Sequence, residues 1–142
     1  MKKFVTAFLI GTMSIASFTV DAGAYAKEHN VVVVQDVGQL TKTSSLMLKS
    51  NEAVCKSTCS RSSEESTSIT AVQTLEKKTS WYYQSVSGAT WSTTVNTQSL
   101  SMRNSKTGLS SGTYRLKTVF TVKYKNGKSE TVTVYSAERT VK

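Results

Sequence analysis

Residues 109–141 read LSSGTYRLKTVFTVKY, then KNGK, then SETVTVYSAERTV. Between Tyr114 and Tyr124 the alternate positions are Tyr114, Leu116, Thr118, Phe120, Val122 and Tyr124. The positions between them are Arg115, Lys117, Val119, Thr121 and Lys123. A strand sends successive side chains to opposite faces, so this segment has one apolar face and one basic face. A helix would mix the two sets around its circumference. Asn126 and Gly127 both tolerate φ > 0 and predict a hairpin turn. A two-residue turn would pair Tyr124 with Ser129 and point Val132 and Val134 outward. A three-residue turn, with Gly127 left-handed in a G1 bulge, pairs Tyr124 with Lys128, Phe120 with Val132 and Thr118 with Val134. A one-residue slip exchanges the faces of a strand, so the apolar pattern selects the bulged turn. The outer face then carries Arg115, Lys117, Val119, Thr121 and Lys123 beside Thr131, Thr133 and Tyr135.

Upstream, short strands are separated by turn signals, and no segment keeps a helical period. Residues 44–49 predict a first strand, with a turn at Ser50 or Asn51. In residues 52–61 the small side chains Ala53, Cys55, Ser57 and Cys59 share a face and are expected to point inward. Residues 62–66 predict a polar loop. Residues 67–75 predict a strand with Ile69, Ala71, Gln73 and Leu75 on one face and Thr70, Val72 and Thr74 on the other; the pattern does not choose between them. Residues 76–80 predict a turn, residues 81–86 an aromatic strand, and residues 98–103 a strand with Leu100 and Met102 on one face, while residues 87–97 are weakly patterned. The expected fold is all-β: an immunoglobulin-like antiparallel β-sandwich of about seven strands. Leu109, Gly112 and Tyr114 fit either a tyrosine corner or a core tyrosine after a turn glycine.

The sandwich is expected to span residues 44–142. Lys2 and Lys3, the mostly apolar residues 4–20 and Ala24-Tyr25-Ala26 predict a signal peptide over residues 1–26. Residues 27–43 predict a tether or edge strand; the four valines at 31–34 suit a strand and Thr41-Lys42-Thr43 a linker. That apolar run is broken and short for a membrane-spanning helix, no second one follows, and the expected location is extracellular or at the cell wall.

The chain of 142 residues carries a formal net charge of +9. From Ser101 onward nine basic residues face only Glu130 and Glu138. Such asymmetry either marks an anionic partner or keeps a secreted domain soluble. The candidate binding residues are Arg115, Lys117, Lys123 and Tyr135, and the expected partner is an anionic surface polymer or glycan, with no specific nucleic acid. The rival reading is a cationic toxin or antimicrobial acting on membranes. At least one of Trp81 and Trp91 is expected in the core, with Tyr82 or Tyr135 exposed.

Catalytic chemistry has little to stand on. The one histidine, His29, lies two residues beyond the expected cleavage site, which disfavours His-based triads and His-containing zinc sites. Glu64 and Glu65 adjoin but would point opposite ways on a strand. The reading is a non-enzyme with no cofactor. Cys55 and Cys59 would stand about 13 Å apart on a strand, beyond the roughly 7 Å limit of a disulfide. Two buried free thiols are therefore expected over a bonded loop.

The order Leu75-Glu76-Lys77-Lys78, Trp81, Gly112-Thr113-Tyr114-Arg115-Leu116 and a last hairpin with Asn126-Gly127 and Glu130 resembles small secreted single-domain β-sandwich proteins of Gram-positive bacteria, immunoglobulin- or fibronectin-like in fold. The resemblance covers residues 55–141 and implies a fold, with no active site to carry over.

Overall fold

The computed structural model describes residues 40–61 and 66–142. Eight strands are present among them: β1 (Leu40–Lys49), β2 (Glu52–Arg61), β3 (Ser66–Thr79), β4 (Tyr82–Val95), β5 (Ser99–Lys106), β6 (Gly112–Tyr124), β7 (Ser129–Tyr135) and β8 (Arg139–Val141). They form two antiparallel sheets. One has the order β1-β2-β5; the other has β4-β3-β6-β7, with β8 also paired to β6. The fold is all-β, as the alternation predicts. The signal peptide, His29, the four valines at 31–34 and the Glu64-Glu65 pair lie outside the described residues.

The hairpin of β6 and β7 has the bulged register. Phe120 pairs with Val132 and Thr118 with Val134. The Tyr124 amide donates to the Lys128 carbonyl at 2.9 Å, and Gly127 has φ of 80°. Phe120, Val122 and Val134 are buried, so burial of the apolar set selected this register over its alternative. Strands β7 and β8 are separated at Ser136. The Leu116 amide donates to Ser136 Oγ at 2.8 Å, and the Ser136 amide donates to the Leu116 carbonyl at the same distance.

Two apolar clusters fill the space between the sheets. One gathers Leu40, Cys59, Ile69, Ala71, Leu100, Met102, Phe120, Val122 and Val134. The other gathers Leu46, Ala53, Cys55, Leu75, Ala89, Leu109, Tyr114, Leu116 and Val141. This settles the inward face of β3 as Ile69, Ala71, Gln73 and Leu75. A buried polar belt connects the strands as well. Asn104 Nδ2 donates to Gln73 Oε1 (2.8 Å), and Gln73 Nε2 donates to Ser57 Oγ (2.7 Å). Ser57 and Ser44 each share a hydrogen bond with Thr118 Oγ1, at 2.8 and 2.9 Å. Buried hydroxyl and amide groups persist in a core only when each finds a partner, and here the partners come from both sheets.

Four expectations change. First, β1 begins at Leu40, so Thr41-Lys42-Thr43 is strand and the sandwich starts before residue 44. Lys42 is fully buried between the inward positions Leu40 and Ser44, with Nζ 3.4 Å from Glu130 Oε1. A lysine at an inward position hid the alternation. Second, residues 76–79 continue β3, and the turn falls at Ser80 and Trp81. Glu76 is buried because Arg115, its neighbour on β6, neutralises it. Third, β4 runs on to Val95. Residues 86–89 stand opposite Leu75 alone, an irregularity that breaks the period of two. Fourth, neither tryptophan is fully buried: Trp91 is half-buried against both clusters, and Trp81, at the turn, is 89% exposed.

Candidate functional site

The outer face of the larger sheet is set by the same alternation that buries its inner face. On β6 it presents Arg115, Lys117, Val119, Thr121 and Lys123; their β3 neighbours are Glu76, Thr74, Val72, Thr70 and Ser68. Their β7 neighbours from Lys117 onward are Tyr135, Thr133, Thr131 and Ser129. Across β3, strand β4 adds Thr90, Ser92 and Thr94. The middle of the face is thus a field of hydroxyls around Val72 and Val119. Cross-strand pairs join some of them: Thr70 with Thr94 at 2.8 Å and Thr121 with Thr131 at 3.2 Å.

One end of this face is aromatic and charged. The Arg115 guanidinium lies 3.6 Å from the Tyr83 ring centroid and 4.2 Å from that of Tyr135. Its Nε donates to Glu76 Oε2 at 2.8 Å. Stacking between two rings and a carboxylate partner hold the planar cation in place. Tyr83 donates its hydroxyl to Glu138, whose carboxylate also takes Lys78 Nζ at 3.3 Å. The hydrogen bond from Tyr83 holds the Glu138 carboxyl below its ordinary range, with Lys78 adding to the effect. Desolvation and the same hydrogen bond push the Tyr83 phenol up to about 12.

The candidate residues therefore divide. Arg115, Lys117 and Tyr135 are neighbours, whereas Lys123 stands at the far end of β6 opposite Ser129. Arg115 is occupied by Glu76 and two rings. Lys117 and Lys123 make no ion pair among the described residues. Tyr82 and Tyr135 are both exposed, as the sequence suggests. What the sequence does not reveal is the aromatic stack. Tyr83 meets Arg115 only because β3 carries Glu76 and Lys78 between β4 and β6.

The cysteines are free and buried on β2. Burial raises the Cys55 thiol to about 12 and that of Cys59 to about 11. Neither is a nucleophile at neutral pH, since the thiolate is the reactive form. Among the described residues no group of three His, Cys, Asp or Glu could hold a metal ion, and no helix is long and apolar enough to cross a membrane.

The fold places the chain among two-sheet antiparallel β-sandwiches. No family model and no curated protein matches it.

Proposed function

We propose that this chain is a secreted, non-enzymatic, immunoglobulin-like binding module that attaches to an anionic polymer, such as a wall polymer or acidic glycan, through the outer face of its larger sheet. The observation that carries this reading is the charge pattern of that face. Glu76 is matched by Arg115 and Glu138 by Lys78, which leaves Lys117 and Lys123 as excess cations beside an open field of threonine and serine hydroxyls. An exposed array of donors and acceptors flanked by lysines suits an extended polymer better than a small buried ligand. Arg115 acts as a pin that fixes Tyr83 and Tyr135.

Two features support the immunoglobulin-like type. The strand order β1-β2-β5 over β4-β3-β6-β7 parallels a Greek-key sandwich, with β6 in the place of the strand that bears the tyrosine corner. Tyr114, near the start of β6, donates its hydroxyl to the Ser110 carbonyl at 2.7 Å, back to the preceding connection. Secretion rests on the leader-like residues 1–26.

The test is retention on a heparin-type resin and on isolated cell walls at low salt. Native protein is expected to bind, and the double variant Lys117→Glu, Lys123→Glu to elute early. Equal retention of the two would end this reading. A second reading rests on Trp81, exposed at the β3–β4 turn beside Tyr82 and after Lys77 and Lys78, as an anchor at an anionic membrane surface. A blue shift of tryptophan fluorescence with anionic vesicles, lost in Trp81→Ser, would favour it.

A further inference from the structure

A second cleft lies on the other side of the larger sheet, beside the first residues of β4, before Ala89 and Trp91 enter the core. There the inner face of β3 and β4 meets residues 106–110, forming an open cleft of about 210 Å³. Lys77, Thr79, Gln84 and Val86 line one wall, Lys106, Leu109 and Ser110 the other, and Tyr114 also borders the space. Tyr82, 57% exposed, is the register partner of Thr79 and so shares this face at the edge of the cleft.

Two lysines border the cleft and no carboxylate does. Lys77 Nζ donates to Ser110 Oγ at 2.7 Å and lies 5.6 Å from the Tyr114 ring centroid. An ammonium has three donors, so Lys77 keeps others for a ligand. The Lys106 ammonium makes no hydrogen bond or ion pair among the described residues. The chain also leaves room for both side chains. A Cβ at Gly112 would stand 2.5 Å from Lys77 Cε, and one at Gly88 would stand 3.3 Å from Lys106 Nζ. The Tyr114 bond to the Ser110 carbonyl ties the loop wall to β6.

We infer that this cleft binds a single sugar ring bearing a carboxylate or sulfate. The two ammonium groups take the anion; Gln84, Thr79 and Ser110 supply hydroxyl-scale hydrogen bonding; Val86, Leu109 and the exposed Tyr82 ring meet the ring's C–H surface. The space is smaller than the ~300–1,000 Å³ typical of drug-sized ligands, which fits one ring rather than a chain. The site uses residues distinct from Lys117 and Lys123, so it stands or falls apart from polymer attachment.

The test is an amide NMR titration of the full chain with sodium glucuronate, glucose 6-sulfate, glucose and sodium sulfate. Saturable shifts of the Gly88, Gly108 and Ser110 amides are expected with glucuronate or glucose 6-sulfate, and the stronger of the two identifies the anion. Lys106→Glu should weaken that response at least tenfold, and Lys106→Gln less. Lys117→Glu with Lys123→Glu should leave it intact. The amide spectrum away from the cleft verifies that each variant is folded. No response to either acidic sugar would overturn the inference, as would an equal response to glucose, an equal response to sulfate alone, or indifference to both Lys106 variants.

Discussion

Thr118 occupies the middle of β6, where its side chain faces inward between two apolar neighbours, Leu116 and Phe120. Its hydroxyl is reached by both Ser44 and Ser57. Thr118→Val keeps the shape and removes the hydroxyl, leaving two buried serines each short of a partner. The expected loss is about 1–3 kcal/mol, read as a lower denaturant midpoint with unchanged slope. The two cysteines give a second outcome at this scale. Burial holds both thiols protonated, so the native protein should resist a thiol reagent and the unfolded, unreduced protein should react at Cys55 and Cys59. Unfolded protein without reactive thiols would mean a bond between them. The Tyr83–Glu138 tie has a pH signature. Glu138 is lowered, so what the tie contributes is complete above the ordinary carboxylate range and disappears as pH falls through the lowered value. Tyr83 is raised, so its share is complete below pH 10 and is lost as pH climbs through about 12. Tyr83→Phe should return Glu138 upward toward its ordinary range in a carboxyl NMR titration.

At the scale of elements, the β6–β7 hairpin is specified by its turn and by the burial of its inner face together. Gly127 has φ of 80°, and apart from its own chain neighbours no atom lies within 4 Å of where a Cβ would stand. Gly127→Ala should therefore cost about 1–2 kcal/mol through backbone conformation alone, with the Phe120–Val132 register kept. A larger loss, or a changed register seen in cross-strand NMR contacts, would show that the turn does more than the buried residues do. Strand β4 shows the opposite case. Its continuation past Val86 depends on residues 86–89 bulging around Leu75, and Ala89 enters the core there. Strand β1 pairs with β2 along its whole length, and its inward Lys42 is met by Glu130 on β7.

Across the whole molecule, the cations unmatched by carboxylates among the described residues include Lys117 and Lys123 on the outer face and Lys77 and Lys106 at the cleft. Attachment through the outer face should be electrostatic. Its affinity for an anionic polymer should fall steeply between about 0.05 and 0.2 M salt, because the Debye length is ~10 Å at 0.1 M and the lysines face water. Salt-independent retention would point to stacking on Trp81 or Tyr82 in place of charge. The polar belt has a molecular consequence too. Ser44, Ser57 and Asn104 come from the smaller sheet and Gln73 and Thr118 from the larger, so the belt fixes how the sheets sit on each other in a way apolar contact alone does not.

The all-β class, the hairpin register, the inward faces of β2 and β6, the shared face of Leu100 and Met102 on β5 and the free thiols were legible in the chain alone. Each of these follows from alternation along one strand or from a local turn. The chain alone did not determine the reach of β1, β3 and β4, the occupation of Arg115, or the cleft. Lys42 needs Glu130, Glu76 needs Arg115, Tyr83 needs both Arg115 and Glu138, and the cleft needs Lys77 and Lys106 brought face to face. Those groups are distant in the chain. Only the stacking of two sheets decides whether a charged side chain at an inward or outward position finds its partner, and so whether the strand around it holds.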